Sequence, residues 1–159
     1  MSQTSATRPA ARITAPHIRA ILSQHGYRLT GPRQQIVEQA LRHERPFTAE
    51  QLVTELKDHP DRRASSIGRA TVYRTLEILA SVDVLARVIQ PSGHAAYVVE
   101  PPGHRHHLVC SSCGTTIAFT SCPVDTLVQR LTADTRFAIH DHVLEVFGVC
   151  PECQQRAPV

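Results

Sequence analysis

The segment HRHHLVCSSCG, residues 104–114, carries three histidines and two cysteines in eleven positions. Imidazole nitrogen and thiolate sulfur are the donors that zinc takes most readily in proteins. The cysteines recur: Cys110-x-x-Cys113 is followed, after 36 intervening residues, by Cys150-x-x-Cys153. A C-x-x-C turn sets two thiolates at one side of a tetrahedron, and two such turns close it. Each pair follows a strand-like stretch and sits in a tight turn, SSCG or PECQ. With no open position, a site built from Cys110, Cys113, Cys150 and Cys153 points to structural zinc rather than to catalysis. The competing reading, two redox dithiols, lacks the surrounding βαβ pattern. Cys122 is left over and reads as a buried apolar thiol.

If the four cysteines share one ion, His104, His106 and His107 serve elsewhere. Alternate residues of a strand face opposite sides, so His104 and His106 point one way and Arg105 and His107 the other. Four of the ten histidines fall within residues 94–107, a density that calls for a second metal site. Further donors are available: His94 in a hairpin, Glu100 just upstream, Asp125 on a following helix, and His140 and His142 at the start of the last strand.

These side chains sit on a chain of ordinary globular composition, 42% hydrophobic and 19% charged. No apolar run approaches the roughly 20 residues that cross a bilayer. The N-terminus, MSQTSATRPAAR, has no apolar core of the kind a secretory signal needs. A reducing cytoplasm is therefore expected, where paired cysteines are metal ligands more often than disulfides. The net charge of +3 hides an asymmetry: residues 1–89 hold 13 Lys+Arg against 8 Asp+Glu, and residues 90–159 hold 4 against 6. Lys57 is the one lysine among 17 basic residues. An arginine-dominated first half suits a polyanion, because guanidinium binds phosphate and guanine bidentately.

The positioning elements follow from periodicity. Residues 1–14 lack apolar spacing and read as a flexible basic arm. Pro16 opens a short helix carrying Ile18, Ile21 and Leu22, closed by Gly26. Thr30 and Pro32 start a second helix, with Ile36, Val37, Ala40 and Leu41 on one face. Thr48, with Gln51 three residues later, starts a third that buries Leu52, Val53 and Leu56. DRRASSIG reads as a polar connector, and RATVYRTLEILAS as a fourth helix with Val72, Leu76 and Leu79 inward. VLARVI and AAYVVE, joined by QPSGH, read as a hairpin. Helices followed by a hairpin outline a winged helix-turn-helix, whose last helix enters the major groove. Pro101-Pro102-Gly103 is the strongest break. Beyond it, strand-like HHLVC and TTIAF, a helix around 123–134 and strand-like HVLEVFGVC give a small α+β unit. At roughly 55 residues it needs a metal or a partner subunit to be stable.

RLTGPRQQIV, RATVYRTLEIL, HRHHLVCSSCG and HVLEVFGVCPEC together make the chain resemble the ferric uptake regulator family of bacterial metal-dependent repressors, including its zinc uptake branch, over about residues 16–153. The ATVYRTL of that family stands here as Ala70 to Leu76. The resemblance implies an α+β protein: a winged-helix DNA-binding domain over 15–100, a hinge at 101–103 and a metal-binding dimerisation domain over 104–159. It implies a homodimer that represses from a palindromic operator in double-stranded DNA, with no membrane partner and no enzymatic activity. Arg69, Thr71, Tyr73 and Arg74 would face DNA from the recognition helix, and Arg33 would reach the backbone or minor groove. The alternative role for Tyr73 is to pack between helices.

The resemblance also implies a dimerisation-domain metal site from His104, His106, Asp125 and His142. A hinge site is less complete. Position 105, often a histidine in the family, is arginine, which does not ligate metals, and nearby acidic positions hold Val98 and Ala118. His94, Glu100 and His107 are the candidates for a rebuilt hinge set, with Cys122 a more remote one. A nitrogen-rich set favours zinc as the sensed ion, with Fe2+ and Mn2+ as alternatives. An iron-responsive or peroxide-sensing regulator is the runner-up reading. A zinc hydrolase is more remote, since no HExxH helix or positioned base is present, and a zinc-ribbon adaptor leaves the basic half unexplained.

Overall fold

The computed structural model describes residues 13–156. The basic arm expected over 1–14 lies outside the described residues except for its last two, and of these Ile13 is buried with the core. Five helices come first: α1 (Ala15–Gln24), α2 (Gly31–Ala40), α3 (Ala49–Lys57), α4 (Arg62–Ser65) and α5 (Arg69–Ser81). Then come the strands β1 (Leu85–Ile89) and β2 (Ala95–Val99). β3 (His106–Cys110), β4 (Thr116–Phe119), α6 (Asp125–Thr135), β5 (Glu145–Gly148) and α7 (Pro151–Arg156) complete the described chain. The architecture is α+β, a winged helix-turn-helix followed by a small mixed sheet.

The helix starts differ in chemistry. Thr48 forms a full capping box: its Oγ1 accepts the Gln51 N–H and its own N–H donates to Gln51 Oε1, at 3.1 and 2.7 Å. Thr30 caps α2 by position but makes no side-chain cap bond. Pro32 removes the N–H at the second position of α2, and the Arg33 N–H at the third, the counterpart of Gln51 in α3, is not taken up by Thr30. The expected polar connector contains the one-turn helix α4, because Asp61 Oδ1 accepts the Arg63 N–H at 2.9 Å and Ala64 is fully buried. A final helix, α7, was not foreseen.

Ile18, Leu22, Ile36, Val37, Leu52, Leu56, Val72, Leu76 and Leu79 form a contiguous core among α1, α2, α3 and α5. The β1–β2 hairpin is antiparallel in register Leu85↔Val99 to Ile89↔Ala95. A bridge between Phe47 and Tyr97 fastens it to the start of α3, so the hairpin flanks α5 as a wing.

The second sheet has strand order β4-β3-β5, with β4 antiparallel and β5 parallel to β3. Its central strand carries the ligand-rich segment. The register sets His106 opposite Phe119 and His107 opposite Glu145. Those two pairings decide which distant residues meet the histidines.

Candidate metal centres

Parallel pairing brings Cys110 opposite Gly148, so the chain leaving β5 passes the end of β3. Cys110, Cys113, Cys150 and Cys153 converge there, each Sγ within 4.8 Å of the others. The Cys150 N–H donates to Cys110 Sγ at 3.3 Å, and Cys113 Sγ lies 3.8 Å from Cys150 Sγ. The turn is tight: the Gly114 N–H donates to the Cys110 carbonyl at 2.9 Å, and Gly114 adopts a left-handed φ of 74°. A side chain at 114 would be strained at that φ and would require the Gln90 side chain of the wing to swing aside. Cys153 is presented by the first turn of α7, which explains why the last six described residues are helical.

The thiols do not titrate alike. Backbone N–H groups of Cys150 and Cys113 stabilise the Cys110 thiolate and lower its pKa to about 6. At Cys150 the Cys153 N–H acts in the same direction, but desolvation and the crowded thiols of Cys153, Cys110 and Cys113 push the value up to about 11. The Cys113 pKa is lowered as well, first by its bonds to Thr115, so Cys110 and Cys113 ionise the more readily while Cys150 holds its proton until a cation shares the site. That is the electrostatics of a preformed tetrathiolate centre, and the donor set fits zinc.

A second group gathers on the other end of β3. His104, His106, Cys122 and His142 bring one donor atom each within 4.8 Å of one another. His104 Nε2 lies 3.1 Å from His106 Nε2, and Cys122 Sγ lies 3.3 Å from His142 Nε2. The three imidazole centroids are 4.6 to 5.2 Å apart. His106 is buried, its Nδ1 has no partner, and its pKa is lowered, chiefly by desolvation and then by His104 and His142. Neutral imidazoles with converging lone pairs are the form a metal ion requires.

Sheet register accounts for this convergence. The parallel pairing of His107 with Glu145 brings position 142 level with position 104. The antiparallel pairing of His106 with Phe119 returns the chain past His106 as it leaves β4, which delivers Cys122. Asp125, expected as the acidic member, is outside this group. It begins α6, is exposed, and reaches His106 only as the weakest contributor to its titration. Cys122 stands in the group instead, a residue the sequence offered only as a remote member of the hinge set.

On the opposite face of the strand, His107 Nε2 and Glu100 Oε1 meet at 2.9 Å, both side chains buried. They line a cleft of about 410 Å³ shared with Asp83, Arg105 and Asp141. Arg105 buries its Nε there without a partner. His94 does not join them: it is exposed in the β1–β2 turn, 3.1 Å from Ser92 Oγ. Two of the three hinge candidates are thus together, and Asp83 is a carboxylate in the cleft that the sequence reading omitted.

Arg69, Thr71 and Arg74 of α5 are exposed, while Tyr73 is half-buried against the core. The Tyr73 hydroxyl donates to Glu50 Oε1, which also pairs with Arg69 Nη2 at 2.6 Å. The Glu50 bond is the main reason the Tyr73 pKa is raised. The Arg69 guanidinium lies 5.6 Å from the Tyr73 ring centroid. Arg33 Nη1 donates to the Arg28 carbonyl at 2.7 Å, at the entry to α2. The arrangement gives a helix whose cationic side chains face solvent and whose one aromatic residue is anchored at both ends.

A sequence profile of the Ferric uptake regulator family matches residues 24–147. A ferric uptake regulation protein of Synechococcus elongatus is 34% identical over 145 residues, covering 89% of this chain and 96% of the relative. A solved zinc uptake regulator, complexed with zinc and DNA, superposes with a TM-score of 0.73 at 21% identity, covering 89% of this chain and 93% of that one. The Helicobacter pylori ferric uptake regulator Fur, whose structure reveals three functional metal-binding sites, gives 0.62 at 18% identity, with 92% and 97% covered. At those identities the two structures speak to the fold.

Proposed function

The chain belongs to the ferric uptake regulator family, transcription regulators rather than enzymes, and from that premise we propose that it is a cytoplasmic, zinc-responsive repressor of metal-homeostasis genes. Metal-responsive regulation of transcription follows from family membership; zinc is the finer reading. The observation that carries it is the second donor group, where three imidazoles and a thiol converge and no carboxylate takes part. Nitrogen and sulfur donors favour zinc over the oxygen-preferring manganese. The zinc uptake regulator whose fold matches was solved with zinc and DNA, in keeping with this reading.

In this proposal Cys110, Cys113, Cys150 and Cys153 hold a structural zinc, and His104, His106 and His142 belong to the regulatory site. A divalent ion bound there supplies charge and fixed coordination angles. The chain supplies the lever: His104 lies immediately after the 101–103 hinge, so fixing it fixes the path from wing to sheet. Glu100 and His107 close the same hinge from the other face through their buried pair. Arg69, Thr71, Tyr73 and Arg74 contact the operator from α5, with Arg33 at the backbone.

A homodimer fits the unpaired apolar surface. α6 buries no residue, and Leu127, Leu131, Val146 and Phe147 are exposed, with β5 an edge strand. A second copy covering that face would set two α5 helices against the half-sites of a palindrome. No helix among the described residues is long and apolar enough to cross a membrane.

An iron-responsive regulator is the second reading, favoured by the name of the Synechococcus elongatus relative. Gel-shift titrations on the protein's own promoter region separate the two. Zinc is expected to tighten binding by about 10- to 100-fold, a coupling typical of allosteric pairs, with Fe2+ and Mn2+ much weaker. Binding indifferent to all three metals overturns the regulator reading, and a larger response to Fe2+ replaces zinc with iron.

A further inference from the structure

We propose that Cys122 is the fourth ligand of the regulatory site, in the place expected for Asp125, and that its thiolate makes the site selective for zinc-class ions. The proposal rests on the reading of His104, His106 and His142 as a metal site, and it deepens that reading by naming the ligand that sets the metal.

Three independent features point to Cys122. Its Sγ lies 3.3 Å from His142 Nε2 and within 4.8 Å of a donor on His104 and on His106. It is not part of a disulfide, and it is separate from the other four cysteines, which gather into their own group. An inert thiol would sit among apolar neighbours, whereas this one is half-buried and faces imidazole nitrogens. The nitrogens also need something more than each other. His104 Nε2 and His106 Nε2 are 3.1 Å apart, and only one of them can donate to the other. Three imidazoles and one thiolate make four donors, which is a complete tetrahedral set for zinc.

Asp125 lacks those features. As the first residue of α6 its carboxylate is exposed and favourably placed at the positive end of the helix. Drawing it inward would remove it from that end, while Cys122 already lies inside. The consequence is chemical: thiolate in place of carboxylate shifts preference from manganese and iron toward zinc and cobalt.

Cobalt(II) reads this directly, because thiolate ligation gives a sulfur-to-cobalt charge-transfer band. The full-length protein is first loaded with one equivalent of zinc to fill the four-cysteine site, then titrated with cobalt(II). The cobalt equivalent is expected to show both the intense visible bands of tetrahedral coordination and the charge-transfer band. Cys122→Ser is expected to lose the charge-transfer band and to weaken zinc at this site by at least about tenfold, while retaining its first zinc. Cys122→Asp is expected to narrow the zinc-over-manganese preference, and Asp125→Asn to leave spectrum and affinity unchanged. A charge-transfer band that survives Cys122→Ser overturns the proposal, as does loss of binding in Asp125→Asn. The regulator reading is tested apart from this by the gel shift. Metal-dependent operator binding with unchanged affinity in Cys122→Ser sinks the ligand and spares the regulator, whereas a thiolate band with metal-indifferent DNA binding does the reverse.

Discussion

Ile18, Leu22, Ile36, Leu52, Leu56, Leu76 and Leu79 are each at most 1% exposed, packed among four helices. After His104 the large apolar side chains lie at the surface: Leu127 is 54% exposed, Phe147 51% and Val143 88%. The first half is held by burial of apolar area from water. The second buries chiefly Val109, Cys110, His106 and His107, and what it gathers inside are metal donors. A sheet of three short strands with that little core needs coordination or a partner subunit to stand. On the proposed function, the half that would read the metal is also the half with least apolar core, so metal binding and local ordering would be one equilibrium.

That contrast is broken most severely by removing the four-sulfur site. Cys150→Ser with Cys153→Ser is expected to abolish the first zinc equivalent. Apparent binding energies of structural zinc in small domains run to about 10–16 kcal/mol, comparable to the whole stability of a domain. Hydrogen exchange should then show protection lost at the amides of β3 and β5 and kept in α2, α3 and α5. Equal loss in both halves, or β3 protection that survives without zinc, would dissolve the distinction drawn between them. The reciprocal change is Leu76→Ala, in α5 and 0% exposed. It should cost about 2–5 kcal/mol in chemical denaturation followed through the helical signal, with the zinc content of the purified protein unchanged.

The same contrast governs what the sequence made legible. Period and capping signals are local, and they located α5 over RATVYRTLEILAS, the hairpin and the Thr48 start of α3. The four cysteines were legible because their spacing carries the chemistry. What spacing does not carry is strand register. Exchanging Asp125 for Cys122 beside the histidines depends on His106 pairing with Phe119 and His107 with Glu145, which only the folded sheet defines. His94 was grouped with Glu100 and His107 by proximity along the chain, yet the hairpin turn carries it out to solvent. The α4 turn was missed because its one inward residue, Ala64, gives no periodicity to detect.

The smallest expected effect tests the local end of this account, where two threonines carry the same sequence signal and different geometry. Thr48 exchanges two hydrogen bonds with Gln51, at 3.1 and 2.7 Å. Thr30 makes none: Pro32 removes the N–H at the second helical position, and the Arg33 N–H at the third, the counterpart of Gln51, is not bonded to the Thr30 side chain. Thr48→Ala leaves the Gln51 N–H without its intrahelical substitute at a point where the helix cannot supply one. The cost should be about 1 kcal/mol, lowering the melting temperature of the helical half by about 4–8 °C. Thr30→Ala should stay within about 0.5 kcal/mol, the range of substitutions that break no specific contact. Neither should alter zinc stoichiometry, since both act in the half held by apolar burial. Equal losses at the two positions would mean that Thr30 caps α2 in solution, through the Arg33 N–H that it leaves unbonded here.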